Sequence, residues 1–466
     1  MDTGKQEPSL DDQLPQVSEE NNRFESRKGF MKPEVISIAF VGHLGELALA
    51  GSSIANAFAS VVGFTLLRGL GSALETFSGQ SYGAKQYRML GIHLQRGIVV
   101  LLLVSIPISI ILTNAARILK FCRQDPQISE QAGQYARFLI PGVFGVALLE
   151  CHVRFLQTQK KVVPMMISSG ITTLLHVLVC WMLVVKYGLG LRGAALANSI
   201  SYWINALLLI AYVWLSPSCK ETRAEFSRDA LHGIPGFLKL AIPSCVMLGL
   251  EVWSFEIITL SSGLLPNPKF ESSVFSISYN MYFVAYMIPL GLSGAISTRV
   301  SNELGAGRPQ AALLAVRVVV SLVMIEGIIM ATFLISGRKL WPQLYSKEKG
   351  VVERVGNLLL FLALSHFLDG ITSVLSGTCR GCGWQRIGAF VNFGAYYIIG
   401  IPSAVVLAFV FHMGGKGLWV GIILALFVQA SLLAIVTLCT DWDKQARKAK
   451  DRIQDSTTEK HIVASA

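Results

Sequence analysis

Residues 311–336 read AALLAVRVVVSLVMIEGIIMATFLIS, a run of 26 residues in which only Arg317 and Glu326 carry charge. A hydrocarbon core about 30 Å thick is crossed by about 20 helical residues, each adding about 1.5 Å. The run is long enough to span a bilayer. Comparable runs at 97–113, 171–185, 198–215 and 416–439 repeat the pattern. All are continuous, whereas the strands of a transmembrane barrel alternate polar and apolar residues over about ten positions, so the spans read as helices. The composition agrees: of 466 residues, 52% are hydrophobic and 15% charged. The fold class is an all-α polytopic membrane protein.

Breakers between the runs place spans near 47–72, 94–114, 134–156, 163–186, 192–215, 237–264, 272–298, 311–336, 352–378, 387–411 and 416–439, preceded by an apolar stub at 35–44. As a helix the stub would reach about 15 Å, and extending it backwards would bury Lys32 and Glu34 around Pro33. The expectation is twelve helices with the first truncated, and lower stability and transport than in a form with a full first helix. Residues 1–34 read as a disordered cytosolic arm, 35–215 as an N-terminal lobe, and 216–234, the longest polar connection, as a cytosolic linker. Residues 235–440 read as a C-terminal lobe and 441–466 as an unstructured cytosolic tail.

Sliding the second lobe back by about 222 residues aligns it with the first. Gly69-Leu70, Ala73, Thr76 and Gly83-Ala84 meet Gly291-Leu292, Ala295, Thr298 and Gly305-Ala306; Thr158 meets Thr378, and Gly190 and Gly193 meet Gly414 and Gly417, each two residues out of step. Six helices per lobe is an even number, so both copies start in one orientation. The repeat is parallel, about an axis along the membrane normal, and two such lobes rocking about a cleft give alternating access.

The formal net charge of +11 does not imply nucleic acid, because Lys and Arg sit in short loops and the tail rather than along one face. Basic residues recur after alternate spans, among them Lys85, Arg88, Lys160, Lys161, Arg299, Arg308, Arg380 and Arg386, which places those loops and the termini in the cytosol. The eight cysteines are scattered. Cys379-Arg-Gly-Cys382 has no second pair and no βαβ context, so neither a redox nor a metal site is expected.

A charge in hydrocarbon costs at least about 2.5 kcal/mol, which makes ionisable residues inside spans functional candidates. Glu251 lies in the middle of 237–264, beside Trp253, near Phe255 and downstream of Pro243, which loosens the helix. Asp369 follows Ser365 and His366 and precedes Gly370, Thr372 and Ser373, the most polar midsection of any span. Burial disfavours the charged form of a carboxyl, and a second carboxylate nearby does so again. A proton and an organic cation can then compete for one such group. Trp253, Phe255, Tyr279, Tyr282 and Tyr286 are candidate cavity-lining aromatics for flat or cationic solutes. Weaker candidates are Glu256, about 140° round the helix from Glu251, Glu326, and Glu75, which the spacing pairs with Arg68 two turns earlier near a helix end.

No Walker loop, H-E-x-x-H, G-x-S-x-G or paired-His site is present. The chain reads as no enzyme and as needing no cofactor, with an ion gradient as its energy source.

Several longer motifs carry a family resemblance over about residues 35–440: Phe40-Val-Gly-His-Leu-Gly-Glu-Leu47, Ser72-Ala-Leu-Glu-Thr76 with Gly79-Gln80 and Tyr82-Gly-Ala-Lys-Gln86, Leu250-Glu251 with Trp253-Ser-Phe-Glu256, Ser297-Thr-Arg-Val-Ser-Asn-Glu-Leu-Gly-Ala-Gly307, Gly381-Cys-Gly-Trp-Gln385, and Asn392 with Gly394-Ala-Tyr-Tyr397, Gly400 and Pro402. In these the chain resembles plant-type members of the multidrug and toxic compound extrusion (MATE) family. The resemblance implies two six-helix lobes around a V-shaped cleft and proton-responsive acids on the seventh and tenth helices, where Glu251 and Asp369 stand. Asn392 and Tyr396 join the candidate cavity wall, and Val252 replaces a second Trp common in that motif. The function implied is proton-coupled antiport exporting organic cations, xenobiotics or secondary metabolites from the cytosol. The alternatives are a sodium-coupled or lipid-linked-substrate carrier of similar architecture, or a truncated non-transporting membrane isoform. Expected partners are small organic substrates, protons and the lipid bilayer, with a monomer in the vacuolar or plasma membrane and no nucleic acid.

Overall fold

Eleven helices of the computed structural model, which describes residues 33–42, 44–266, 268–344 and 349–464, are long and apolar enough to cross a membrane. In chain order the helices are α1 Pro33–Gly42, α2 Leu47–Gly83, α3 Tyr87–Thr113, α4 Pro126–Thr158, α5 Val163–Lys186, α6 Gly190–Leu215, α7 Ile234–Ser262, α8 Pro268–Gly305, α9 Pro309–Ser336, α10 Lys349–Cys382, α11 Gln385–Val410, α12 Gly415–Leu438 and α13 Trp442–Ala464. Several run past the limits of their apolar cores. Hydropathy marks only the hydrocarbon-crossing part, and the helix continues where its end turns are solvated. At the start of α4 the Asp125 carboxylate accepts from the backbone N–H groups of Gln127 and Ile128 at 2.8 and 3.0 Å, and Pro126 needs no N–H partner there.

Each lobe is built round one inner helix. α4 packs against α2, α3 and α6; α10 holds the same place in the second lobe, against α8, α9 and α12. Tyr135 and Phe155 lie in the core of the first lobe, Phe275, Tyr396 and Trp419 in that of the second. The first turns of α7 cross over: Phe237 and Ala241 are part of the first lobe's core, and Met247 and Ile258 of the second's.

The lobes meet where α2 and α8 lie backbone to backbone. A Cβ on Gly83 would strike the carbonyl of Asn302, one on Gly305 the carbonyl of Gln80, and one on Gly79 the side chain of Ser301. Glycine at these three positions allows the close approach.

Two expectations change. The tail is not unstructured: α13 lays Trp442, Ala449 and Ile453 on one buried face, with the rings of Trp442 and Trp384 6.1 Å apart. Its many charges masked a one-sided apolar stripe, which is enough to dock a helix. The linker has local structure of its own. It contains a turn at Pro217–Cys219 and a one-turn helix at Asp229–His232, and Gln95 of α3 donates to the carbonyls of Ala224 and Glu225 at 3.0 and 2.9 Å. Residues 33–34 already belong to α1 and not to an arm; residues 1–32 lie outside the described residues. The described part of α1 is ten residues long and is anchored by Ser37, whose hydroxyl donates to Asn198 at 3.0 Å and bonds His176 at 3.1 Å.

Candidate functional site

Between the lobes lies a cavity of about 450 Å³. Its N-lobe wall is made by Ser72 and Glu75 of α2, Arg154 of α4 and Met165 of α5; its C-lobe wall by Glu251 of α7, Tyr286 of α8 and Arg380 of α10. Apolar side chains, among them Met247 and Met287, fill the space between the charges. The arrangement is an apolar pocket with a few convergent ionic groups, the form of a small-molecule site.

Glu251 reaches this wall from a helix weakened at Pro243. Its carboxyl bonds the side chain of Gln429. Gln429 accepts from the Tyr396 hydroxyl at 2.9 Å and donates to Asn392 Oδ1 at 2.9 Å, and Asn392 donates to the carbonyl of Met247 at 2.8 Å. Gln429, on α12, carried no charge to mark it in the sequence, yet it bonds three of these groups.

Asp369 is buried on α10 and accepts hydrogen bonds from the hydroxyls of Tyr282 and Thr372. Tyr282 stacks on Tyr286, centroids 6.3 Å apart and planes within 9°. A line of side chains thus joins Asp369 to the cavity, and Asp369 and Glu251 interact electrostatically.

The remaining candidates divide by position. Phe255 packs among Tyr279, Tyr282 and Tyr396 at 6.2, 6.0 and 6.3 Å, inside the C-lobe. Trp253 points to the other lobe, its indole N–H donating to the carbonyl of Val61 on α2 at 3.1 Å. Of the aromatic candidates, Tyr286 is the one on the cavity wall described above. Glu256 lies by Tyr279, away from Glu251. Glu326 reaches His366.

The pairing of Glu75 with Arg68 does not form. Arg68 meets Glu150 of α4 at 3.4 Å. Glu75, fully buried, meets Arg154 at 2.7 Å and Arg380 at 3.0 Å and accepts from Ser297. A break at Ser72, between the two residues, takes α2 off a uniform helical repeat, so two-turn spacing does not hold. Arg380 is likewise no loop residue: it is in the last turn of α10. Sequence reasoning missed Arg154, although it lies inside the expected span 134–156, where a charge is itself the signal.

The MatE family model matches residues 34–182 and 243–406. This chain belongs to the MATE family. Protein DETOXIFICATION 16 of Arabidopsis thaliana is 55% identical over 430 residues, which cover 92% of this chain and 88% of that protein. Protein DETOXIFICATION 15 of the same plant is 53% identical, with coverages of 92% and 88%. The crystal structure of the eukaryotic MATE transporter AtDTX14 superimposes with a TM-score of 0.87 at 46% identity, covering 90% of this chain and 94% of that one. The chain is a MATE transporter and a multi-pass membrane protein.

Proposed function

We propose that this MATE transporter exports organic solutes, cations among them, from the cytosol in exchange for protons, with Glu251 as the exchanging group. The observation that carries the reading is the position of Glu251: a carboxyl on the C-lobe wall of the inter-lobe cavity, bonded behind to Gln429 and interacting electrostatically with Asp369. Protonated, Glu251 is neutral and offers a cation nothing; ionised, it attracts one. Release of the proton and capture of the solute are then alternative states of one group. The faces bearing the α2–α3 and α8–α9 turns and α13 would lie in the cytosol, and the chain would act as a monomer in the vacuolar or plasma membrane.

The test is uptake of a panel of organic cations and flavonoids into proteoliposomes carrying an imposed pH gradient, with and without a sodium gradient. Proton antiport predicts uptake that follows the pH gradient and ignores sodium. Uptake that follows sodium, or that is unchanged when the pH gradient is collapsed, overturns it.

A further inference from the structure

α9 lies at the edge of the C-lobe. Ile325, Ile328 and Ile329 are 56%, 59% and 64% exposed, a surface that hydrocarbon covers in a membrane. A lone carboxylate among them would cost at least about 2.5 kcal/mol. Glu326 instead turns inward, and both of its oxygens reach Nε2 of His366 on α10, at 3.1 and 3.3 Å. His366 is fully buried, and its Nδ1 has no hydrogen-bond partner among the described residues. Asp369 follows three residues on, about one helical turn, and interacts electrostatically with His366.

Packing alone does not account for the pair. Apolar side chains of the same size would join α9 to α10 without desolvating a carboxylate and a ring, and an unsatisfied ring nitrogen costs about 1–3 kcal/mol. The polar groups succeed one another toward the cavity: Glu326 bonds His366, His366 interacts electrostatically with Asp369, Asp369 accepts from Tyr282, Tyr282 stacks on Tyr286, and Tyr286 shares the cavity wall with Glu251.

We propose that Glu326 and His366 are a second proton-holding pair of the C-lobe, which exchanges its proton with Asp369 from the side away from the cavity. The inference rests on the proton-antiport reading above. A proton on the Glu326 carboxyl passes to Nε2 of His366 as the Nδ1 proton passes to the Asp369 carboxylate. Glu326 ends ionised, Asp369 neutral and the imidazole neutral in its other tautomer, so no charge is created. Other ionisable groups reach this stretch from the packed helices: Tyr279 and the two tyrosines above from α8, Tyr396 from α11 and Glu251 from α7. On α10 itself Arg380 acts on Glu251; α2 brings Glu75, held by two arginines. α12 has Lys416 at its start and α9 has Arg317, more than two turns from Glu326.

The experiment is the pH profile of uptake by the purified full chain in proteoliposomes at a fixed pH gradient, for the unaltered protein, Glu326→Gln, His366→Gln and Glu326→Asp. Removing either partner is expected to move the midpoint by about one pH unit, and Glu326→Asp to restore it. For a variant too slow to give a profile, the infrared difference spectrum after a pH jump decides: Glu326→Gln loses one protonated-carboxyl band. Midpoints and bands identical to the unaltered protein overturn the pair while leaving proton antiport standing. An unaltered protein that ignores the pH gradient overturns both.

Discussion

Glu75 accepts a hydrogen bond from Ser297, and the two residues stand 222 positions apart, the displacement that relates the lobes in sequence. A residue touches its own repeat copy only on the repeat axis, so that axis runs between α2 and α8, where Gly79 also meets its copy Ser301. On the axis the symmetry is broken by charge: one copy is a carboxylate, the other a hydroxyl. Arg154 from the first lobe and Arg380 from the second close on that carboxylate.

Glu75 should therefore matter to the union of the lobes. Glu75→Gln leaves Arg380 without its ion-pair partner and Arg154 with only Glu150, at 3.5 Å, and is expected to cost about 3 kcal/mol or more, read as a lower Tm in detergent. The double variant Glu75→Gln with Arg380→Gln should recover part of the loss, since the two changes act on one contact. A Tm unmoved by Glu75→Gln would show that the cluster does not hold the lobes together.

The α2–α8 contact depends on absent side chains. Gly83→Val and Gly305→Val each force a Cβ into a facing carbonyl, and overpacking of this kind costs about 1–3 kcal/mol. A cysteine introduced at Ala306 should react faster with a membrane-impermeant maleimide in either variant. Equal labelling in the unaltered and substituted proteins would count against backbone-to-backbone closure.

Asp369 accepts from Tyr282 and Thr372 and interacts electrostatically with Glu251, and carboxyls that interact lose their protons in linked steps. Asp369→Asn should move the pH optimum of uptake rather than only lower the rate. The same profile at reduced amplitude would reduce Asp369 to a structural role.

α13 fastens both lobes through one side chain: Arg452 donates to Gln80 Oε1 of α2 at 2.8 Å and to the carbonyl of Cys382 at the end of α10 at 2.9 Å. Arg452→Ala should raise hydrogen–deuterium exchange across 442–453, with transport slowed less than by any change at Glu251. Unaltered exchange would mean that the apolar face of α13 alone holds it.

Much of the architecture was legible because a bilayer imposes one rule, an apolar run of fixed length, on every span. The stretches around Glu251 and Asp369 were legible for the same reason: a carboxylate at that depth is costly and stands out. Partnerships were not legible. Glu75 and Arg380 are 305 positions apart, and no local spacing foretells that a carboxylate on α2 chooses an arginine on α10 over Arg68 seven residues away. In the sequence His366 stands only as a polar neighbour of Asp369, since its bond to Glu326 spans 40 positions. The docking of α13 left a fainter signal, Trp442, Ala449 and Ile453 on one face of an otherwise charged segment.

The most direct test of the account is uptake driven by a pH gradient in proteoliposomes containing either the unaltered chain or Glu251→Gln, at matched amounts of folded protein. The unaltered chain is expected to accumulate an organic cation, and Glu251→Gln, which fills the same space without an exchangeable proton, to lose that accumulation while still purifying as a folded protein. Gradient-driven accumulation by Glu251→Gln at the unaltered rate would contradict it.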